Sequence, residues 1–266
     1  VHYLFDKWPE LSLKIKDHHI CIFLDYDGVL APIADTPCQA VLPKITKCIL
    51  KKLSCKPDFT VAIISGRSIK NIIDMVKIKK NLVYAGNHGL EFGNSQTTFE
   101  IPLSLQYKSE FKQLKKELIS GLANIKGVLI EDKKISLSVH YCLANKSDIP
   151  RIKSIFKNVI TSLKMQDKII IFTDKKTLEI TPNISWNKGK IVLLMLTLFR
   201  SLIKHENITP IYIGDGLTDE NAFNALKKHG ITIYVGDSKR TQADYYIKNT
   251  HEVRDLLEKL LALKAS

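Results

Sequence analysis

Hydrophobic residues fall in short runs that stop abruptly at glycine and aspartate. Ile20 to Leu24 is continuously apolar, as in a strand buried on both faces, and it ends in Asp25-Tyr26-Asp27-Gly28. Thr60 to Ile64 repeats the pattern and ends in Ser65-Gly66-Arg67, and Leu82 to Ala85 ends in Gly86-Asn87-His88-Gly89. Thr209 to Ile213 ends in Gly214-Asp215-Gly216, and Ile231 to Val235 is a fifth run. Between these runs the pattern predicts helices from Pro43 to Leu53, with proline at the start, and up to about Val76 after the second strand. Further helices are predicted from Gly189 to Leu202 and from about Thr218. Strands alternating with helices predict an α/β fold built on a doubly wound parallel sheet.

The middle of the chain has a different rhythm. Leu105 to Leu122 reads as an amphipathic helix, and Gly127 to Glu131 with Ile135 to Tyr141 reads as a hairpin of alternating faces. Ile149 to Leu163 is again helical, and Lys168 to Phe172 with Thr177 to Thr181 makes a second β pair. This predicts a smaller α+β domain, residues 104–183, inserted into a core formed by residues 1–103 and 184–266. The two connections each carry a proline, Pro102 and Pro182.

Composition narrows the field. With 266 residues, 45% hydrophobic and 25% charged, the chain is neither disordered nor a disulfide miniature. The densest apolar run, Ile191 to Phe199, is far shorter than the ~20 residues of a membrane span, so no membrane association is expected. Asp6, Glu10 and Lys14 interrupt the opening stretch, so it does not read as a signal peptide. The first residue is Val1, as in a piece of a longer protein. Five cysteines (21, 38, 48, 55 and 142), an odd number without a C-x-x-C pair, argue against a disulfide framework or a zinc site and for a reducing, cytoplasmic setting. The net charge is +13, and residues 103–183 carry 15 basic against 8 acidic side chains. Lysines scattered this way, without an arginine-rich arm, read as a solvated surface and not as a nucleic-acid site; the same field suits a phosphorylated small substrate.

In an open parallel sheet the ligand site lies outside the carboxyl ends of the strands, where Asp25, Asp27, Ser65 and Asp215 would gather. Two carboxylates at i and i+2 beyond a buried strand need a countercharge. Oxygen-only donors suit Mg²⁺, although Asp25 to Gly28 also has the chemistry of a plain turn. Lys188 opens an apolar helix, where the dipole disfavours a cation unless an anion lies in front of it. Taken singly, it reads equally as a solvated lysine, and Asp219 and Glu220 read as ordinary first-turn acids.

Together, Asp25-Tyr26-Asp27-Gly28-Val29-Leu30, Ser65, Lys188 and Gly214-Asp215 with Asp219 resemble the signature of haloacid dehalogenase phosphohydrolases. The resemblance implies Asp25 as nucleophile and Asp27 as general acid/base. It implies Ser65 and Lys188 as binders of the transferring phosphoryl group. Mg²⁺ would be held by Asp25, Asp215 and the backbone carbonyl of Asp27, with Asp219 behind them. The wider pattern is similar to the trehalose-6-phosphate phosphatase family: Ser65-Gly66-Arg67, Ala85 to Glu91, Glu131-Asp132-Lys133, Ser138 to Tyr141, Leu178-Glu179-Ile180 and Trp186-Asn187-Lys188-Gly189. That resemblance makes the inserted domain a mobile substrate-specificity cap. Arg67, Asn87, His88, Glu131, Lys133, His140 and Glu179 would then contact the substrate, although His140 and Lys133 could equally be plain strand surface. Three positions depart from the family pattern: Cys142 and Thr181 stand where it commonly has arginine, and Gly216 where it commonly has aspartate.

The implied activity is Mg²⁺-dependent hydrolysis of trehalose 6-phosphate through an aspartyl-phosphate, with a trehalose-phosphate synthase domain or subunit as a possible partner. The alternatives are a phosphatase of sucrose phosphate or mannosyl-phosphoglycerate, and a non-catalytic phosphatase-like domain.

Overall fold

The structure, a computed structural model, describes residues 1–34, 39–102, 107–174, 176–237 and 241–264. It divides into two compact units, Val1–Phe99 together with Trp186–Ser266, and Glu100–Ser185. The expected boundary between 103 and 104 lies outside the described residues, as does Cys38.

The larger unit carries a nine-stranded sheet. Its centre is β2 (His19–Leu24), β3 (Phe59–Ile64), β4 (Leu82–Gly86), β11 (Ile208–Gly214) and β12 (Ile231–Val235). Each falls where an apolar run predicts it. Along the sheet the order is β1-β13-β12-β11-β2-β3-β4-β5-β6, with β1 (His2–Tyr3), β13 (Tyr245–Ile247), β5 (Glu91–Gly93) and β6 (Thr98–Glu100) at the flanks. Pairing is parallel from β1 to β4 and antiparallel between β4 and β5.

Alternate residues of the central strands feed two separate cores. Ile20, Ile22, Leu24, Val61 and Ile63 pack under α1 (Leu4–Ile15), α2 (Lys44–Cys55), α3 (Ile69–Val76) and α8 (Thr250–Leu263). Cys21, Phe23, Ala62 and Ile64 point the other way, under α6 (Lys188–Leu202) and α7 (Glu220–Leu226). Helices on both faces explain why these strands read as unbroken apolar runs. The expected doubly wound α/β architecture is therefore present.

Two helices went unassigned in the sequence reading. α1 has Pro9 inside it, a residue that removes a helical hydrogen bond, yet Leu4, Leu11 and Ile15 bury one face. α8 starts at Asn249, whose side chain accepts from the His251 and Glu252 N–H groups. The helix expected from about Thr218 begins instead as a single 3₁₀ turn, Leu217–Asp219, before α7.

The smaller unit is an antiparallel sheet of order β7-β8-β10-β9, formed by β7 (Leu129–Asp132), β8 (Leu137–His140), β9 (Ile169–Asp174) and β10 (Thr177–Pro182). The two predicted hairpins thus join through β8 and β10. Leu137, Val139, Leu178 and Ile180 pack with α4 (Lys108–Leu122) and α5 (Ile149–Ser162) into a third core. The opposite face mixes polar residues, among them Glu131, His140 and Glu179, with the apolar Leu129, Phe172 and Ile170. No helix of the described residues is long and apolar enough to cross a membrane.

Candidate active site

The order β11-β2-β3 sets the carboxyl ends of three adjacent parallel strands side by side, and these ends carry Asp215, Asp25 and Ser65. The Asp25 N–H donates to Ile213 O at 3.0 Å, which ties the loop after β2 to the neighbouring strand. Gly28 has a left-handed φ of 79°, and a side chain there would collide with the Asp215 carboxylate. Glycine at this position lets the two loops approach.

Lys188 is buried, at 2% exposure, and is not the solvated residue its position alone would suggest. Asn187 caps α6 by accepting from the Lys190 N–H at 3.1 Å. A side chain at Gly189 would collide with the Asn221 backbone, so glycine lets α6 lie close against α7. The lysine Nζ then reaches Asp25 Oδ2 at 2.6 Å and Asp219 Oδ1 at 2.7 Å. Asp219 is equally far from a solvated first-turn acid. It is fully buried, receives the Tyr212 hydroxyl at 2.6 Å and the Gly216 N–H at 2.9 Å, and packs where a side chain at Gly214 would otherwise sit.

Carboxylate oxygens of Asp25, Asp215 and Asp219 all lie within 4.8 Å of one another. Asp219, rather than the Asp27 side chain, is the third member of this cluster. Burial pushes the Asp25 carboxyl well above the usual range; Lys188 opposes this, and Asp219 and Asp215 reinforce it. Burial also works to raise Asp219, but the charge and hydrogen bond of Lys188 outweigh it and hold that carboxyl low. Burial lowers Lys188, yet Asp219 and Asp25 together raise it above the ordinary lysine value. Lys188 meets Asp25 and Asp219, and Asp215 lies in the same cluster, an oxygen-rich donor set of the kind that suits a hard cation.

Asp27 points elsewhere: both its oxygens are held by Arg67, which the sequence resemblance had placed against the substrate. Ser65 is buried, and its Oγ accepts the Arg67 N–H at 3.2 Å. Asn87 and His88 both adopt left-handed backbone, with φ of 50° and 56°. The Asn87 side chain is fully buried and donates to Glu91 Oε2 at 2.8 Å, so it shapes the loop that carries His88. The His88 ring packs over Gly66, where an added Cβ would lie 2.7 Å from its Cε1. Tyr212, Glu91 and Gly28 were given no role in the sequence reading. Tyr212 could have been suspected, because it places a phenol hydroxyl within the buried apolar stretch Pro210 to Ile213.

In the smaller unit, cross-strand register aligns Glu131, Ser138 and Glu179 on one face, with His140 opposite Thr177 on the same face. Lys133 Nζ donates to Glu179 Oε1 at 2.6 Å, and His140 Nε2 is hydrogen-bonded to Glu131 Oε2 at 2.9 Å. The four residues therefore make one ion pair and one adjoining hydrogen bond on this sheet face. Cys142 is half-buried, and Thr181 is buried beside Ile170 of β9.

The sequence model of the family described as trehalose-phosphatase matches residues 23–251, a span that takes in both units. The chain belongs to the trehalose-phosphatase family. It is 35% identical over 279 residues to "Probable trehalose-phosphate phosphatase E" of Arabidopsis thaliana, covering 97% of this chain and 75% of that protein. The fold matches the C. albicans trehalose-6-phosphate phosphatase C-terminal domain with a TM-score of 0.78 at 23% identity, covering 96% of this chain and 97% of that one. It also matches the Candida albicans trehalose synthase regulatory protein C-terminal domain, with a TM-score of 0.71 at 13% identity, over 98% of this chain and 97% of that one. The trehalose-phosphatase fold is thus shared with a protein that is titled regulatory. The sequence resemblance to this family is borne out.

Proposed function

We propose that this chain hydrolyses trehalose 6-phosphate to trehalose and inorganic phosphate, with Asp25 as the nucleophile. The observation that carries the reading is the buried Asp25–Lys188–Asp219 constellation beside Asp215. A fold serving only as a scaffold gains nothing from three buried charges, because apolar residues there would stabilise it as well or better. This favours the catalytic reading over the regulatory one.

Asp25 Oδ attacks phosphorus and the leaving alcohol takes a proton from Asp27, which gives an aspartyl-phosphate. Asp27 then accepts a proton from the water that hydrolyses it. Lys188 lies against Asp25 Oδ2, positioned to offset charge on the transferring phosphoryl group, with Ser65 Oγ as a neutral partner. Asp25, Asp215 and the Asp27 carbonyl, with Asp219 behind, would hold Mg²⁺, which supplies charge neutralisation to the phosphoryl oxygens. Asp219 and Tyr212 orient Lys188, and the Gly216 N–H fixes Asp219 in turn.

The inserted unit is proposed as the cap that selects the sugar, through Glu131, Lys133, His140 and Glu179. His88 completes the substrate side in this reading, with Asn87 shaping its loop through Glu91. A trehalose-phosphate synthase domain or subunit is the partner that suits the product-substrate relationship, and the odd cysteine count supports a cytoplasmic setting.

A panel of trehalose 6-phosphate, sucrose phosphate, mannosyl-phosphoglycerate and p-nitrophenyl phosphate tests the specificity. Trehalose 6-phosphate should give the highest kcat/KM, and a higher value for sucrose phosphate would replace the reading by its neighbour. Glu179→Gln keeps a hydrogen bond to Lys133 but removes the charge. It should lower kcat/KM for trehalose 6-phosphate by roughly tenfold to a hundredfold, the effect of losing ~1–3 kcal/mol of a charged contact. Hydrolysis of p-nitrophenyl phosphate should fall far less. Equal losses on both substrates would place the effect of Glu179 on folding or on the phosphoryl chemistry.

A further inference from the structure

The side chain of Asp27 is gripped by a fork. Arg67 Nε donates to its Oδ2 and Nη2 to its Oδ1, each at 2.7 Å, so both carboxylate oxygens face one planar guanidinium. Arg67 is anchored from other directions. Nη1 donates to Asn71 Oδ1 at 3.3 Å, one helical turn on in α3, and the guanidinium carbon lies 5.6 Å from the centre of the Tyr26 ring. Its backbone N–H goes to Ser65 Oγ, and its carbonyl accepts the Asn87 N–H at 2.7 Å. The arginine side chain is 8% exposed and that of Asp27 is 41% exposed. The buried, multiply anchored partner therefore sets the position of the exposed one.

We propose that Arg67 is a positioning residue for the second half of the reaction, holding the Asp27 carboxylate in place as the base that takes a proton from the attacking water. This rests on the reading that Asp25 becomes phosphorylated. In that step a water oxygen bonds to phosphorus as the bond from phosphorus to the Asp25 oxygen breaks. The Asp27 carboxylate receives the proton of the water, and inorganic phosphate leaves with Asp25 restored. The leaving alcohol is held in place by the bound substrate whereas the attacking water is not, so the fixed orientation of the carboxylate counts most in this step. The fork therefore matters more for the attack of water than for the earlier delivery of a proton to the leaving alcohol. It also engages the arginine with Asp27 rather than with the sugar.

Rapid-quench kinetics on the full chain with Mg²⁺ separates the two halves, using trehalose 6-phosphate and p-nitrophenyl phosphate. Arg67→Ala should lower kcat by about tenfold to a hundredfold, the scale of a misplaced catalytic group. The two substrates should converge on one kcat, because hydrolysis of the same phosphoenzyme limits both. Acid-quenched enzyme should carry phosphate on Asp25 in a larger fraction than wild type. kcat/KM, which ends at the first irreversible step, should fall much less. In an Asp27→Asn background the same substitution should add no further slowing of phosphoenzyme hydrolysis. A fall confined to kcat/KM for trehalose 6-phosphate would make Arg67 a sugar contact and overturn the proposal. Proportional falls in kcat/KM for both substrates, without phosphoenzyme build-up, would make it a phosphate contact and overturn it too. Arg67→Lys keeps the charge and most of the volume without the fork, so it reads the same quantities if the alanine variant does not fold; wild-type kcat there also overturns the proposal. Phosphoenzyme trapped in Asp27→Asn but not in the Arg67 variants refutes the fork. Its absence from every variant refutes the role of Asp25 instead.

Discussion

Asp25→Asn is expected to lose phosphatase activity by on the order of 10⁴–10⁶-fold, the scale seen when a covalent nucleophile is removed. Asparagine fills the same space but has no anionic oxygen to attack phosphorus. The fold should survive. Lys188 keeps its contact with Asp219, and the Asp25 carboxyl is one that burial already pushes toward its neutral form. With metal chelated, that raised carboxyl contributes stability below the ordinary carboxylate range and loses it as pH rises through its folded value. The asparagine variant lacks this dependence. Its unfolding midpoint at neutral pH should therefore match or exceed that of the wild type in EDTA, while turnover is gone. Near-normal turnover would remove Asp25 as nucleophile, and a large loss of stability would mean that its ionised form supports the fold.

Lys188→Met should have the opposite profile, striking at stability and activity together. Among the described residues the lysine is the cation paired with Asp25 and Asp219, and its removal leaves these buried carboxylates without that partner. Breaking a buried pair in this way costs about 3–5 kcal/mol. Without Lys188 the Tyr212 and Gly216 hydrogen bonds are left to oppose burial in raising Asp219, so both acids bind protons more readily than they do beside the lysine. The loss should be largest near neutral pH and shrink in acid, measured as the denaturant midpoint across pH in EDTA. Whatever folded enzyme remains should be slower by about 10²–10³-fold, the effect of removing one preorganised donor from a charged transition state. An unchanged midpoint would show that the acids find another countercharge.

The core of the fold was legible because its strands are buried on both faces, which turns Ile20 to Leu24 and Thr60 to Ile64 into unmistakable apolar runs. The flanks were not. β1 and β13 are short, and α1 folds despite Pro9 because burial of Leu4, Leu11 and Ile15 outweighs a lost backbone hydrogen bond. The places of Asp25, Ser65 and Asp215 were legible from their order along the chain, since each follows a strand end. Their partners were not, because contacts across the fold leave no trace in spacing. Residue by residue, Lys188 and Asp219 look like surface charges; only the approach of α6 to α7, through Gly189, shows that they neutralise each other in the interior. Arg67 was placed with the substrate, and its commitment to Asp27 could not be read from a separation of forty residues. The polar residues on one face of the inserted sheet, by contrast, followed from strand alternation in Ser138-Val139-His140 and Leu178-Glu179-Ile180.

The central claim is that three carboxylates and one lysine at the ends of β2 and β11 and the start of α6 make a metal-dependent phosphatase for a phosphorylated disaccharide. Release of inorganic phosphate from trehalose 6-phosphate by the full chain tests it most directly, measured with Mg²⁺, after chelation by EDTA and after Mg²⁺ is restored, with Asp25→Asn as the blank. The account predicts turnover with Mg²⁺, a fall to the level of the blank in EDTA, and full recovery on restoring the ion. Phosphate release that is undiminished in EDTA, or no release from trehalose 6-phosphate under any of these conditions, would contradict it.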